Sequence, residues 1–229
     1  MALSVASSPV RVSCKAVLFD MDGILISSLA SVERSWTKWA LLRGIDPETA
    51  ICAAHGCRAI ETVAQLRPDL DSTAELKLIE EIELADGKGL GALPGVLELL
   101  SALPENRWTV VTSATERLAR LRLAASGVPA PQRIIHADCV TEGKPNPAPF
   151  LAGAALLGFQ PEECVVFEDS ASGVAAGRAA GCTVVATPFS HSIDLLCDAH
   201  YLVEDLTGVA VTVLPGDGGL QLSLKAFST

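Results

Sequence analysis

Short apolar runs recur along the chain at the length of fully buried strands, and segments of helical character separate them. The clearest runs are residues 16–19, 109–111, 164–167 and 183–186, with a weaker one at 133–135. Between them lie 116–125, 148–157 and 173–180, rich in Ala and Leu and long enough for helices. Strands alternating with helices predict an α/β fold, a parallel sheet with helices on both faces. The interval between the first two strands breaks this rhythm. About 90 residues separate Phe19 from Thr109, far more than one crossover helix requires. Residues 28–93 are expected to be almost wholly helical, with Val32, Trp36, Trp39 and Leu42 at helical spacing and Pro47, Gly56, Pro68 and Gly87 as punctuation. Residues 86–95, with four glycines and a proline, read as a hinge returning the chain to the sheet. The expected division is a core of 12–27 and 94–229 with a helical insert at 28–93. Residues 1–13 read as a loose terminus, and the chain beyond about 205 matches no expected element.

Composition narrows the function classes. The chain is 49% apolar, yet no stretch approaches the roughly 20 uncharged apolar residues that span a bilayer. No basic segment precedes the first apolar residues, so a cytoplasmic protein with no membrane partner is the expectation. A formal net charge of −10 argues against nucleic acid, whose phosphates demand basic surface. Seven cysteines form no CxxC pair, and none has metal-ligand spacing to the four histidines. Cys14, Cys164 and Cys182 lie in or beside apolar runs and are expected to be small buried hydrophobes.

The chemistry-bearing residues follow the strands. The first strand ends in Asp20-Met21-Asp22-Gly23, the second in Thr112-Ser113-Ala114-Thr115, and the third of the strong runs in Glu168-Asp169-Ser170. In open parallel sheets ligands bind outside the carboxyl ends of the strands, so the three clusters converge on one site. Four carboxylates there would repel one another unless a cation neutralised them, and hard oxygen ligands suit Mg²⁺. Each residue also has a plain structural role. Asp169 or Ser170 can cap the following helix, Ser113 can begin the helix near Glu116, and a loop lysine such as Lys144 is usually a solvated charge. One helix start needs one cap, however, which leaves Asp20 and Asp22 together unexplained.

At these residues the chain resembles the haloacid dehalogenase (HAD) superfamily. Asp20-Met21-Asp22-Gly23 after an apolar strand is similar to its first motif, and Val110-Val111-Thr112-Ser113 to its second. Lys144 matches the third, and Phe167-Glu168-Asp169 with Ser172-Gly173 the fourth. The four occur in the expected order over roughly residues 15–205, and Ile24 stands where threonine is frequent. The insert between the first two motifs resembles the subclass with a helical C1 cap. Within it the chain most resembles the sugar and polyol phosphate phosphatases of the 2-deoxyglucose-6-phosphate and glycerol-phosphate type. Glu142-Gly143-Lys144-Pro145-Asn146-Pro147 and His55-Gly56-Cys57-Arg58 carry that closer match.

The resemblance implies a Rossmann-like core and a Mg²⁺-dependent phosphatase acting on a small phosphorylated metabolite, as a monomer or weak homodimer. Asp20 is then the nucleophile and Asp22 the acid–base. Ser113, Ala114 and Lys144 bind phosphate, while Asp20, Asp22 (through its backbone carbonyl), Asp169 and Glu168 serve the metal. His55 and Arg58 are the cap's substrate-reading candidates, with an ordinary loop histidine and a solvated helix charge as their structural alternatives. The rival activity is a β-phosphoglucomutase-type sugar-phosphate mutase, and a more distant one a non-catalytic phosphosugar-binding HAD protein.

Overall fold

A computed structural model describes residues 4–5, 8–216 and 218–228. In chain order its strands and helices are β1 (Ser4–Val5), β2 (Val10–Cys14), β3 (Ala16–Phe19), α1 (Leu29–Arg43), α2 (Pro47–Ala54), α3 (Ala59–Leu66), α4 (Ser72–Leu84) and α5 (Val96–Ala102). They continue with β4 (Trp108–Val110), α6 (Glu116–Ala125), α7 (Ala148–Leu157), β5 (Cys164–Glu168), α8 (Ala171–Ala179) and β6 (Thr183–Ala186). The chain closes with β7 (Tyr201–Leu202), β8 (Val209–Val213), β9 (Leu220–Leu224) and β10 (Phe227–Ser228).

Five strands form a parallel sheet in the order β4-β3-β5-β6-β7. Every residue of the central strands β3 and β5 is buried, because helices cover both faces. Alternation along β3 divides the core. Val17 and Phe19 pack with residues of α5 and α6, such as Leu99 and Leu123, whereas Ala16 and Leu18 pack with Phe150 of α7 and Val174 of α8. The strong expectations for 16–19, 183–186, 116–125 and 148–157 coincide with β3, β6, α6 and α7. β4 lies one residue earlier than expected, and α8 starts two residues earlier because Ser170 caps it, accepting from Gly173 N–H. The weak run at 133–135 makes only a single parallel bridge, Ile135 to Val111, beyond β4.

Both chain ends depart from expectation. Val10–Cys14 is not loose: it forms β2, antiparallel to β9, which in turn pairs with β8. Ser4–Val5 likewise forms β1, antiparallel to β10, while residues 1–3, 6 and 7 of the expected loose segment lie outside the described residues. Val12 and Cys14 are buried while Arg11 and Ser13 are exposed, and Leu220, Leu222 and Leu224 are wholly buried in the same core as β3. The stretch after 205 is therefore structural. Val12 faces Leu222 across the strand pair, so β2 finds its partner at the opposite end of the chain, whereas β9 also pairs with β8 just before it.

Helices α1–α4 bury a core of their own, built on Trp36, Trp39, Ala50, Val63, Ile79 and Ile82. Leu42 is a correction to the helical spacing, since it faces solvent at 54% exposure. Asp46 and Asp71 cap α2 and α4 by accepting backbone N–H bonds, with Pro47 at the first turn of α2. The two connections to the sheet run side by side: Ser27 N–H donates to Gly91 O at 2.8 Å, and Leu93 N–H to Leu25 O at 3.1 Å. Among the described residues no helix is long and apolar enough to cross a membrane. Cys14, Cys164 and Cys182 are buried, and burial pushes each thiol up to about 12.

Because the terminal strands complete the core, Leu222→Ala should lower the unfolding free energy by about 2–5 kcal/mol. Chemical denaturation checks this; an effect below about 0.5 kcal/mol would mean that the C-terminal hairpin is dispensable.

Candidate active site

The carboxyl edge of the sheet carries the candidate residues. Asp20 follows β3, its backbone N–H donating to Phe167 O of β5 at 2.9 Å, and only 7% of it is exposed. Lys144 reaches beneath it from the loop before α7. Its ammonium donates to Asp20 Oδ1, to Glu168 Oε1 at 2.5 Å and to Val111 O at 3.2 Å. The other Glu168 oxygen accepts from the N–H groups of Asp169 and Ser170 and from the Ser170 hydroxyl, at 2.9–3.0 Å. Both Glu168 oxygens are thus engaged in fixing Lys144 and the start of α8.

Asp20, Glu168 and Asp169 present carboxylate oxygens within 4.8 Å of one another, all buried. Burial is the main force pushing Asp20 up to about 8; Lys144 opposes it, and Glu168 and Asp22 add to it. Asp169 is raised for the same reason, with Glu168 and Asp20 next to it. Burial pulls the Lys144 ammonium down, but Asp20 and Glu168 outweigh that and hold it above its ordinary value. Three buried carboxylates around one ammonium leave two negative charges in excess when all are ionised. Hard oxygen donors with uncompensated charge fit a divalent ion such as Mg²⁺.

Gly23 makes this packing possible. Its φ is +86°, and a Cβ there would lie 1.8 Å from Asp169 Oδ2, so the turn after Asp22 and the Asp169 carboxylate can adjoin only without a side chain. Gly56 does the same on the helical side: with φ at +72°, its absent Cβ would strike the hydroxyls of Ser170 and Ser172. The His55-Gly56-Cys57-Arg58 segment is thereby pressed against the start of α8.

The remaining candidates surround a cavity of about 130 Å³ between the four helices and the sheet edge. Ser113 lines it, with its hydroxyl donating to Gly56 O at 3.0 Å. Ala114 N–H turns to Thr112 Oγ1 at 3.1 Å. His55 lies 5.7 Å from the ring of His191; burial and that second histidine lower its pKa, and its buried Nε2 has no partner. Arg58 donates to Thr141 O at 2.8 Å and pairs with Glu61 at 3.3 Å, while Glu61 accepts the Gly143 N–H. The helical layer therefore grips the loop that delivers Lys144.

Asp22 stands apart from the carboxylate cluster. Its Oδ1 accepts from Arg122 of α6 at 3.1 Å, and Arg122 also donates to Glu83 of α4 at 3.2 Å. The Arg122 side chain is 4% exposed and the Glu83 side chain 8%. Burial raises the Glu83 pKa, and Arg122 opposes the rise. Sequence reasoning missed both residues. Their only signal was an arginine at an interior helical position among Leu118, Ala119 and Leu123. Thr115, named in the polar cluster after the second strand but given no role there, donates its hydroxyl to Glu80 of α4.

The chain matches the family model described as haloacid dehalogenase-like hydrolase over residues 14–181. It is 40% identical to hexitol phosphatase A of Escherichia coli (strain K12) over 214 residues, 91% of this chain and 99% of that protein. Identity to glycerol-1-phosphate phosphohydrolase 1 of Saccharomyces cerevisiae is 34% over 206 residues, covering 85% of this chain and 82% of the relative. A solved hydrolase from Pseudomonas syringae superposes with a TM-score of 0.76 at 25% identity, over 84% of this chain and 94% of the other. The chain belongs to the haloacid dehalogenase-like hydrolase family, and its parallel sheet with helices on both faces is the Rossmann-like HAD fold.

Two predictions follow from the buried charges. Asp20 holds a proton more tightly folded than unfolded, so in EDTA the melting temperature should fall as pH rises from about 4 through 8. Mg²⁺ should raise Tm most at the upper end of that range, and much less in Asp169→Asn; a Mg²⁺ shift that survives in Asp169→Asn would remove Asp169 from the ligand set. Arg122→Met strands Glu83 beside Asp22 and should cost about 3 kcal/mol or more in denaturant unfolding. A loss under 1 kcal/mol would make the bridge incidental.

Proposed function

We propose that the chain is a magnesium-dependent phosphatase that hydrolyses a small sugar or polyol phosphate monoester through an aspartyl-phosphate on Asp20. One observation carries the reading: a buried Asp20 at the end of the central strand, fixed by Lys144 and adjoining Asp169, opens onto a cavity that also holds Asp22. The named phosphatase relatives, at 40% and 34% identity, support the substrate class.

In the first step an Asp20 oxygen forms a bond to phosphorus, and the bond from phosphorus to the ester oxygen breaks. Asp22 gives its proton to the departing alkoxide, so the alcohol leaves neutral. In the second step Asp22 takes a proton from water as that water bonds to phosphorus, and the bond to Asp20 breaks to release phosphate. Lys144 and the Ser113 hydroxyl neutralise the phosphoryl oxygens, with Ala114 in the same turn supplying backbone. Asp20, Asp169 and the Asp22 backbone carbonyl would hold the Mg²⁺, with Glu168 acting directly or through water. When bound, the ion supplies Lewis-acid neutralisation of phosphoryl charge. Residues 28–93 act as a cap that excludes bulk water, and His55 and Arg58 read the substrate from it.

Phosphate release from a panel of sugar, polyol and nucleotide monophosphates with Mg²⁺ tests this. Turnover should concentrate on sugar and polyol esters, and Asp20→Asn should reduce it by about three orders of magnitude while leaving the far-ultraviolet spectrum intact. Undiminished turnover would sink the nucleophile assignment, and isomer exchange dependent on a bisphosphate primer would replace phosphatase by mutase.

A further inference from the structure

We infer that the cavity selects esters whose leaving group is uncharged, and that Glu80 and Glu83 of α4 enforce this selection. The inference rests on the phosphatase reading for the direction in which the ester lies. Asp22 serves the leaving oxygen, Arg122 touches Asp22, and Glu83 touches Arg122. One turn back along α4, Glu80 accepts the hydroxyl of Thr115, two residues beyond Ser113. The leaving group therefore extends from Asp22 toward the α4 carboxylates, with Trp36 and Leu76 also lining the cavity.

The charge balance of this wall is one-sided. Its titratable carboxylates are Asp20, Asp22, Glu80, Glu83, Asp138 and Asp169, and its guanidiniums are Arg58 and Arg122 alone. Neither guanidinium is free for a second anion. Arg122 is shared between Asp22 and Glu83, and Arg58 pairs with Glu61 while donating to Thr141 O. One donor remains, Arg58 Nε, buried without a partner. Arg117 pairs with Glu80 from the exposed outer side.

Hydroxyl groups suit such a wall. Each donates a hydrogen bond to a carboxylate, and a bond to an ionised acceptor is among the stronger hydrogen bonds. A terminal carboxylate or second phosphate offers acceptors only and brings like charge to side chains that are 16% and 8% exposed, where water screens little. The same wall disfavours a bisphosphate, so the cavity is poorly made for the primer that a sugar-phosphate mutase requires. Glu80 and Glu83 are specificity-determining residues through exclusion as much as through attraction.

A matched pair isolates the effect: glucitol 6-phosphate and 6-phosphogluconate differ chiefly in a hydroxymethyl or a carboxylate at the far end. Calorimetric titration into Asp20→Asn protein with Mg²⁺ reads binding without turnover. The neutral ester should bind at least tenfold more tightly. Added to that background, Glu80→Gln and Glu83→Gln should each narrow the ratio at least threefold by strengthening 6-phosphogluconate. Glu80→Gln keeps an acceptor for Thr115, so it tests the idea even where Glu83→Gln, beside buried Arg122, folds poorly. Equal affinity for the two esters, no measurable binding of the neutral one, or a ratio unchanged in Glu80→Gln would overturn the inference. Selective binding without phosphate release by the wild-type protein would instead sink the phosphatase reading and leave the charge selection standing.

Discussion

The site depends on an ammonium buried among carboxylates. Lys144 comes from a loop, Asp20 from the end of β3 and Glu168 from the end of β5, so three segments distant in sequence meet at one nitrogen. A lysine in that position without its partners would be too costly to bury charged, and the carboxylates without Lys144 would repel one another. The remaining excess of negative charge is what makes a divalent ion a fitting occupant. A divalent ion bound at that excess would let a net acidic chain handle an anionic substrate, because the added positive charge would sit beside Asp20.

The four-helix layer extends this electrostatic arrangement rather than merely covering it. Glu80 and Glu83 of α4 face Thr115, which caps α6, and Arg122 within α6, and Glu61 and Arg58 hold the loop of Lys144. Gly56 lies against α8 where any side chain would collide. Each contact joins the insert to an element that carries a site residue.

Much of the core was legible because its signals are local. Residues 16–19 and 183–186 read as strands since a short all-apolar run needs cover on both faces. Residues 116–125 and 148–157 read as helices from composition and length. Asp20, Glu168 and Asp169 were nameable because polar residues just after parallel strands fall on one edge, whereas Lys144, in a loop, was named through the family resemblance. The terminal strands were not recognised, although Val12, Cys14, Leu220, Leu222 and Leu224 alternate, because alternation becomes a strand only when a partner exists. For β2 that partner lies at the opposite end of the chain. Leu42 failed for a related reason: helical spacing shows that a face is apolar but does not say what covers it.

The sequence by itself determined the class of fold, the order of the alternating strands and helices of the central sheet and the polar residues that follow its strands, since periodicity and strand-end position depend on neighbours within a few residues. Only the tertiary structure decided how those residues are partnered. It committed both Glu168 oxygens to Lys144 and the start of α8, turned the Asp22 carboxylate toward Arg122 and Glu83, and set the α4 carboxylates along the cavity. Those outcomes depend on distances between segments far apart in the chain, and no local pattern encodes such distances.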